Sequence, residues 1–188
     1  MAENPLDARF GTWRGLARLG LAWPQMAFAG DTLPRYDRQA VTRLVFVCHG
    51  NICRSAYGDM LARKLGANSV SFGLSTATGK PAHPPIAELA AARGLDVENH
   101  RTSQPQDIAP LPGDLLLVME MRHATALKKH AIWGDTPRTL LGLYTRPPVP
   151  HLHDPYKLSP AYMARCVERI EQAVAGLVAA HPNVMRGE

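Results

Sequence analysis

The chain has 188 residues, of which 46% are hydrophobic and 20% charged, a composition that suits one soluble domain with a sizeable core. Its formal net charge of +5 favours acidic partners such as phosphorylated substrates, nucleic acids or membrane surfaces, although no run of about five like charges occurs. Three cysteines are too few for a disulfide framework and fit a reducing cytoplasm. The chain contains no run of about 18 uncharged apolar residues, so no transmembrane helix is expected.

The first 40 residues differ from the rest of the chain and form an N-terminal extension, 1–40, whose role the sequence does not reveal. Aromatic residues alternate there with glycines, and the apolar positions do not keep the 3.6-residue period that indicates a helix. Residues 31–38 are typical of a linker. Docking onto the domain, peripheral contact with a membrane, contact with a partner and disorder all stay open for this extension.

From residue 41 the sequence predicts one domain that ends at residue 183 and is followed by a short tail, 184–188. Short apolar runs rich in β-forming residues predict strands at 44–47, 69–74, 114–119 and 138–141. Proline and glycine signals and apolar periodicity predict helices at 55–65, 86–93, 122–130 and 160–180. This alternation is typical of an α/β three-layer sandwich, with a four-stranded parallel sheet and helices on both faces. Ligands bind at the carboxyl ends of such strands, so the turn after the first strand is the place to look for chemistry.

That turn begins with Cys48 and has the form Cys, five residues, Arg. Five residues suffice to wrap a loop whose backbone N–H groups point at one centre, and such a nest binds a tetrahedral oxyanion. The following helix adds unpaired N–H groups and the positive end of its dipole. The predicted phosphate-binding residues are His49, Gly50, Asn51, Ile52, Cys53, Arg54 and Ser55.

Cys48 is the candidate nucleophile of this loop. A helix N-terminus and nearby positive charge favour the thiolate form of a cysteine, whereas a cysteine that ends an apolar strand is, taken alone, more often inert core. Arg54 has a planar fork that holds two phosphate oxygens, and the hydroxyl of Ser55 can donate to the sulfur. Neither a Gly-Lys-Ser/Thr nor a G-x-G-x-x-G pattern is present, which excludes the usual nucleotide-binding turns.

Residues 45–55, VFVCHGNICRS, resemble the signature of the low-molecular-weight protein tyrosine phosphatases. The similarity continues in Asp154-Pro155-Tyr156 and covers residues 42–182. Further segments resemble the bacterial branch that is associated with capsule and exopolysaccharide tyrosine kinases: 71–74, 79–84 and 119–123. Three departures concern the helix after the loop, where Ala56 replaces the usual Pro and Gly58-Asp59 stands near the usual Ala-Glu. They bring the local geometry of that helix into question.

Asp154 is the candidate general acid, because a leaving phenolate needs a proton and a carboxyl group on a loop can supply it. Pro155 stiffens the loop, although an Asp-Pro pair by itself would indicate an ordinary turn. Tyr156 either forms an aromatic wall for the substrate ring or packs against the loop. His151 and His153 are two residues apart without further clustered ligands, so we expect exposed histidines and no metal site.

The resemblance implies that Cys48 and Cys53 form a reversible disulfide that protects the nucleophile from over-oxidation. Cys166 lies in the apolar run of the last helix and is expected in the core. The implied substrate is a phosphotyrosine-containing protein, such as a tyrosine autokinase or a protein of exopolysaccharide synthesis, in the cytoplasm. No cofactor, metal or nucleic-acid partner is expected.

Three alternatives remain for comparison. A thioredoxin-coupled arsenate reductase on the same fold needs two further cysteines in a mobile segment, and none occurs between Cys53 and Cys166. Protein arginine phosphatases tend to carry Thr where Ile52 stands, and Ile leaves an apolar surface suited to a tyrosine ring. A non-catalytic phosphotyrosine-binding module is disfavoured by the presence of the complete set of nucleophile, arginine and acid.

Overall fold

The computed structural model describes residues 5–185, so the first four residues of the extension and the last three of the predicted tail lie outside the described part. Its four strands are β1 (Arg43–Cys48), β2 (Ser69–Gly73), β3 (Asp114–Val118) and β4 (Arg138–Leu140). All pair in parallel in the order β2-β1-β3-β4. The predicted strands and the parallel sheet are confirmed.

Six α-helices surround this sheet. They are α1 (Pro5–Phe10), α2 (Trp13–Ala27), α3 (Arg54–Lys64), α4 (Pro84–Ala91), α5 (Met121–Lys128) and α6 (Pro160–Ala180). Helices α3, α4 and α6 share one apolar cluster with one face of the sheet, and α5 covers the other face. The predicted three-layer arrangement is therefore confirmed.

The two faces of β1 fill two separate cores. Leu44 and Phe46 face α3 and α6, whereas Val45 and Val47 face α5 and the fully buried Trp133. This alternation follows from the two-residue period of a strand. Because both sets are apolar, the sequence of β1 is a continuous apolar run, as expected for a strand covered on both sides.

The departures near the start of α3 do not distort this helix, which is regular from Arg54 to Lys64. Gly58 lies directly over β1, where a β-carbon would stand 2.8 Å from Cδ1 of Phe46. Asp59 is buried and its carboxylate accepts a hydrogen bond of 2.7 Å from the hydroxyl of Ser69. The shorter side chains at 58 and 59 thus let α3 lie close to the sheet.

Most of the described part of the extension is helical. The interpretation that its apolar spacing does not indicate a helix was therefore wrong. Its inner face carries small residues, with Gly11, Gly15 and Ala22 buried against the domain. The large apolar residues lie on the outward face, with Arg14, Arg18 and Gln25 along one border, so α2 does divide into sides at the 3.6-residue period. Short 3₁₀ turns at Gly30–Thr32 and Arg38–Ala40 then lead into β1.

Helices α1 and α2 pack across the carboxyl end of the sheet. Nη2 of Arg169 in α6 donates to the carbonyl of Arg9, with an N–O distance of 2.9 Å. At the other end of the extension, Met26, Ala29 and Leu33 pack against the apolar cluster under α5. Within residues 5–185, no helix combines the length and apolar character needed to cross a bilayer.

Two glycines of α2 provide a matched test of this packing. A β-carbon at Gly15 would lie 2.1 Å from the carbonyl oxygen of Phe10 and 3.0 Å from the ring of His153, whereas nothing lies within 4 Å at Gly20. We expect Gly15→Ala to lower the melting temperature and to make residues 1–40 sensitive to limited proteolysis. Gly20→Ala should stabilise the fold by about 0.5–1 kcal/mol, because alanine favours the helix and meets no obstacle. Equal effects of the two substitutions would contradict the close packing of α2.

Candidate active site

The loop between β1 and α3 is held from the outside through its carbonyl groups. The carbonyl oxygens of Cys48 and His49 accept hydrogen bonds from the backbone N–H groups of the segment after β2, with distances of 3.0 and 2.8 Å. The carbonyl of Ile52 accepts from the N–H of His83 at 2.9 Å. These three carbonyls are therefore turned outward, and the N–H of Asn51 points inward at the sulfur of Cys48, as expected for an anion-binding nest.

The side chain of Asn51 fixes the shape of this loop. Asn51 has a φ angle of 53°, in the left-handed region that asparagine tolerates better than most residues. Its Nδ2 donates to the hydroxyl oxygens of Ser55 and Ser71 at 2.9 and 3.0 Å, and its Oδ1 accepts from the N–H of Ser103 at 3.0 Å. Nε2 of His100 lies 2.9 Å from the carbonyl oxygen of Asn51. Four segments of the chain therefore hold this one residue in its conformation.

The sulfur of Cys48 lies at the base of the nest. It is 3.0 Å from the hydroxyl oxygen of Ser55 and accepts a hydrogen bond from the N–H of Asn51 at 3.3 Å. Because the Ser55 oxygen already accepts from Asn51, its own proton is available to the sulfur. These donors stabilise negative charge on Cys48.

Gly73 allows β2 to approach the loop closely. A β-carbon at this position would lie 2.9 Å from the backbone nitrogen of Asn51 and from the carbonyl carbon of Gly50. Any larger residue at the end of β2 would push the nest out of shape, since both contacts are with backbone atoms.

Arg54 is almost completely buried and is held by three groups from two other segments of the chain. Its Nη1 donates to Oε1 of Glu120 at 2.5 Å and to the carbonyl of Leu152 at 2.7 Å. Its Nη2 lies 2.8 Å from Oδ2 of Asp154. Burial alone would lower the pKa of Arg54, but the carboxylates of Asp154 and Glu120 outweigh it and raise the pKa. Within residues 5–185 the Nε–H of Arg54 is buried without a hydrogen-bond partner.

Glu120 follows β3 and is the more deeply buried of the two carboxylates that pair with this arginine. Burial would raise the pKa of Glu120, yet the charges of Arg54 and of its second partner Arg122 hold it well below its usual range. His123 stands one turn later, and burial next to Arg54 lowers its pKa to about 3. The site thus contains an ionised carboxylate and a neutral imidazole behind the guanidinium at neutral pH.

The loop that carries Asp154 is anchored to β3, to α6 and to the extension. The N–H of Leu152 donates to the carbonyl of Met119 at 3.0 Å, and the hydroxyl of Tyr162 donates to the carbonyl of His153 at 3.1 Å. Nε2 of His153 lies 3.3 Å from Oγ1 of Thr12 in the extension. The residue next to Asp154 is therefore in contact with the N-terminal helices.

The expectation that His151 and His153 are exposed is wrong. His151 is buried at 6% exposure and His153 is half-buried, with 3.4 Å between their facing ring nitrogens. Burial lowers the pKa of both rings, in the case of His151 to about 4. The extension covers this side of the loop, and its presence is the reason that two loop histidines lie in the interior.

Tyr156 and His83 line the outer rim of the site. Tyr156 is 44% exposed, and its ring meets that of His83 edge to face with 5.1 Å between the centroids. The aromatic surface beside Asp154 is therefore accessible to a ligand. Of the other cysteines, Cys53 lies buried in the same loop, and Cys166 is buried in α6 as expected.

Sequence reasoning did not assign roles to Glu120, His100 or Ser71. For Glu120 a signal exists, because it is the first charged residue beyond the carboxyl end of a buried parallel strand. Ser71 and His100 act through Asn51, and no local pattern connects residues that are 20 and 49 positions away from it.

The ion pair of Glu120 and Arg54 is expected to stabilise the fold at neutral pH. Glu120→Gln should lower the free energy of unfolding at pH 7 by about 3 kcal/mol, since it leaves a buried guanidinium with one carboxylate fewer. The pKa of Glu120 is lower in the folded protein, so this stabilisation is lost as the pH falls below its ordinary value of 4.5. In urea titrations, the difference in the free energy of unfolding between the wild type and Glu120→Gln should be smaller below pH 4 than at pH 7. The exposed pair of Glu168 and Arg165 supplies the control, because Glu168→Gln should change stability by less than about 0.5 kcal/mol.

The comparisons with known proteins agree with this geometry. The sequence pattern of the low molecular weight phosphotyrosine protein phosphatases matches residues 43–184. The low molecular weight protein-tyrosine-phosphatase Wzb of Salmonella typhi is 37% identical over 87 residues, which make up 45% of this chain and 58% of that protein. The match thus spans little more than half the length of this curated relative.

Two solved structures share the fold over most of their length. The tyrosine phosphatase amsI of Erwinia amylovora has a TM-score of 0.63 and 26% identity, covering 75% of this chain and 93% of that one. Wzb of Vibrio vulnificus, solved in complex with benzylphosphonate, has a TM-score of 0.61 and 29% identity, covering 72% and 95%. Since the family pattern spans well over half of the chain and includes β1, the loop of Cys48 and α3, the protein belongs to the low molecular weight phosphotyrosine protein phosphatase family.

Proposed function

We propose that the protein hydrolyses phosphotyrosine in proteins through a cysteinyl-phosphate intermediate. One observation carries this proposal: the sulfur of Cys48 accepts a hydrogen bond from the N–H of Asn51 and lies against the hydroxyl of Ser55, in the same loop as a buried Arg54 whose Nε–H has no partner within the described residues. A buried donor without a partner is costly, and a phosphate oxygen supplies the missing acceptor.

In the first step, the thiolate of Cys48 attacks phosphorus and the bond between phosphorus and the phenolic oxygen breaks. The nest and Arg54 stabilise the charge on the three equatorial oxygens. A phosphate that binds Arg54 competes for the Nη2 that now holds Asp154 at 2.8 Å. The displaced carboxyl group is then free to protonate the leaving phenolic oxygen.

In the second step, water attacks the cysteinyl phosphate and Asp154 takes its proton. The sulfur leaves as a thiolate, and inorganic phosphate is released. The hydroxyl of Ser55, 3.0 Å from the sulfur, assists because it stabilises the departing thiolate by a hydrogen bond.

A phosphorylated aromatic side chain fits the rim of the site. The exposed ring of Tyr156 and the half-buried side chain of Ile52 offer apolar surface on the loops beside the nest. We infer that Tyr156 forms a wall for the substrate ring. The observations give the arginine phosphatase alternative no comparable support, since an aliphatic phosphoguanidine has no aromatic ring to stack there.

Loss of the nucleophile and loss of the acid are expected to have different signatures. Cys48→Ser should abolish hydrolysis of both p-nitrophenyl phosphate and a phosphotyrosine peptide. Asp154→Asn should lower kcat on the peptide by roughly 10²–10⁴-fold, and less on p-nitrophenyl phosphate, whose better leaving group needs little protonation. The exposed Asp96→Asn serves as the control and should retain wild-type rates. If Cys48→Ser kept its activity, the proposal would be overturned.

Substrate class is tested by comparing two phosphorylated peptides of the same sequence. We expect kcat/KM for phosphotyrosine to exceed that for phosphoarginine by at least about 100-fold, and Tyr156→Ala to reduce this preference because the aromatic wall is lost. Equal rates on the two peptides would favour the arginine phosphatase alternative.

The proposed redox protection involves the buried pair Cys48 and Cys53. Burial and the neighbouring Cys48 raise the pKa of the Cys53 thiol, which disfavours Cys53 as a nucleophile for phosphate, whereas its place in the same loop as Cys48 supports it as the resolving thiol. After mild peroxide, peptide mapping should find a Cys48–Cys53 disulfide, and dithiothreitol should restore activity. In Cys53→Ser we expect irreversible inactivation, whereas Cys166→Ser should recover like the wild type. Recovery of Cys53→Ser would refute the protective pair.

We propose a cytoplasmic enzyme whose catalytic domain spans residues 41–183, with a tyrosine autokinase or a protein of exopolysaccharide synthesis as its substrate. The start of β1 at Arg43 supports the domain boundary.

A further inference from the structure

The outward face of α2 is apolar and exposed. Its large side chains are Trp13, Leu16, Leu21, Trp23 and Phe28, of which Phe28 is 88% and Trp13 70% exposed. At about 100° per residue, these positions fall on the half of the helix opposite the buried glycines. Between them lie only small residues and Pro24. A contiguous group of exposed aromatic and aliphatic side chains of this kind marks an interaction surface.

The charged residues of α2 itself are all basic. Helix α2 contains no acidic residue, and Arg14 and Arg18 lie along one border of the apolar face. Both arginines are exposed, and the guanidinium of Arg14 stands 5.6 Å from the ring centre of Trp13. An apolar face with tryptophan, phenylalanine and leucine, bordered by arginine, is the composition of a helix that lies in a membrane interface.

A groove of about 700 Å³ runs between α2 and α5 along the same border. Arg18 and Arg122 line it together with Leu21 and Phe28. Glu120 at its floor is already paired with Arg54 and Arg122, so its charge is compensated. The groove therefore offers guanidinium groups at the depth where lipid phosphates lie when the apolar side chains enter the acyl region.

We propose that α2 docks the protein on an anionic lipid surface, with its outward side chains inserted and its arginines among the headgroups. The inner face of α2 contacts His153, so docking places α2 between the membrane and the loop that carries Asp154. This inference rests on the surface of α2 and not on the chemistry of Cys48. It is therefore tested separately from the proposed function.

The test uses the full chain and vesicle flotation. We expect binding to phosphatidylcholine vesicles that contain about one third phosphatidylglycerol, and weaker binding to phosphatidylcholine alone. Brominated acyl chains should quench the fluorescence of Trp13 and Trp23 on binding, whereas Trp133, which is fully buried, should keep its emission.

Two sets of variants locate the surface. The triple variant Leu21→Gln, Trp23→Gln, Phe28→Gln should lose binding by about tenfold or more, because three inserted side chains are removed. Its matched control is Leu111→Gln with Ile132→Gln, two side chains that are 51% and 45% exposed on the domain, and this variant should bind like the wild type.

The electrostatic part is tested by Arg14→Gln with Arg18→Gln, which should reduce binding to the anionic vesicles by roughly fivefold per arginine. Hydrolysis of p-nitrophenyl phosphate at wild-type rates establishes that each variant is folded. If the triple variant binds like its control, or if the wild type binds no vesicles, the proposal is overturned. A dimer in sedimentation that the triple variant loses, without vesicle binding, would assign the face to a second copy of the chain instead.

Discussion

The buried guanidinium of Arg54 is the interaction on which the site depends. A buried charge is unfavourable unless it is paired and hydrogen-bonded, and its partners Glu120 and Asp154 come from two other segments of the chain. The same contacts therefore set the beginning of α3, the end of β3 and the acid loop in fixed relation. Electrostatic compensation of Arg54 thus also brings Asp154, the proposed general acid, to the loop that carries Cys48.

A second constraint comes from the N-terminal extension, which lies outside the residues that the family pattern matches. Helix α2 presents glycine and alanine to the domain, which lets its backbone approach the acid loop, and keeps its large side chains for the outside. Because the small residues of α2 lie inward and its large apolar residues lie outward, the helix both packs closely and exposes an apolar face. They join the surface of the molecule to His153, the neighbour of Asp154.

Much of the site was predictable because it is local. The loop from Cys48 to Ser55 is one contiguous segment between a buried strand and a helix, and its geometry follows from backbone spacing and from residues that accept left-handed angles. The positions of Glu120 and His151 were not predictable in this way. Their burial depends on distant segments that pack over them, and the local sequence around a residue does not reveal which segment buries it.

The sequence by itself determined the alternation of strands and helices and predicted the anion-binding loop with its proposed nucleophile and arginine, because these are encoded in short stretches by side-chain period and spacing; the proposed acid rested in addition on the family resemblance. Only the tertiary structure decided which carboxylates compensate Arg54, that the two loop histidines are buried and neutral at neutral pH, and that the extension folds as helices against the acid loop. The physical reason is that charge compensation and desolvation depend on distances between segments far apart in the chain, and those distances exist only once the layers have packed.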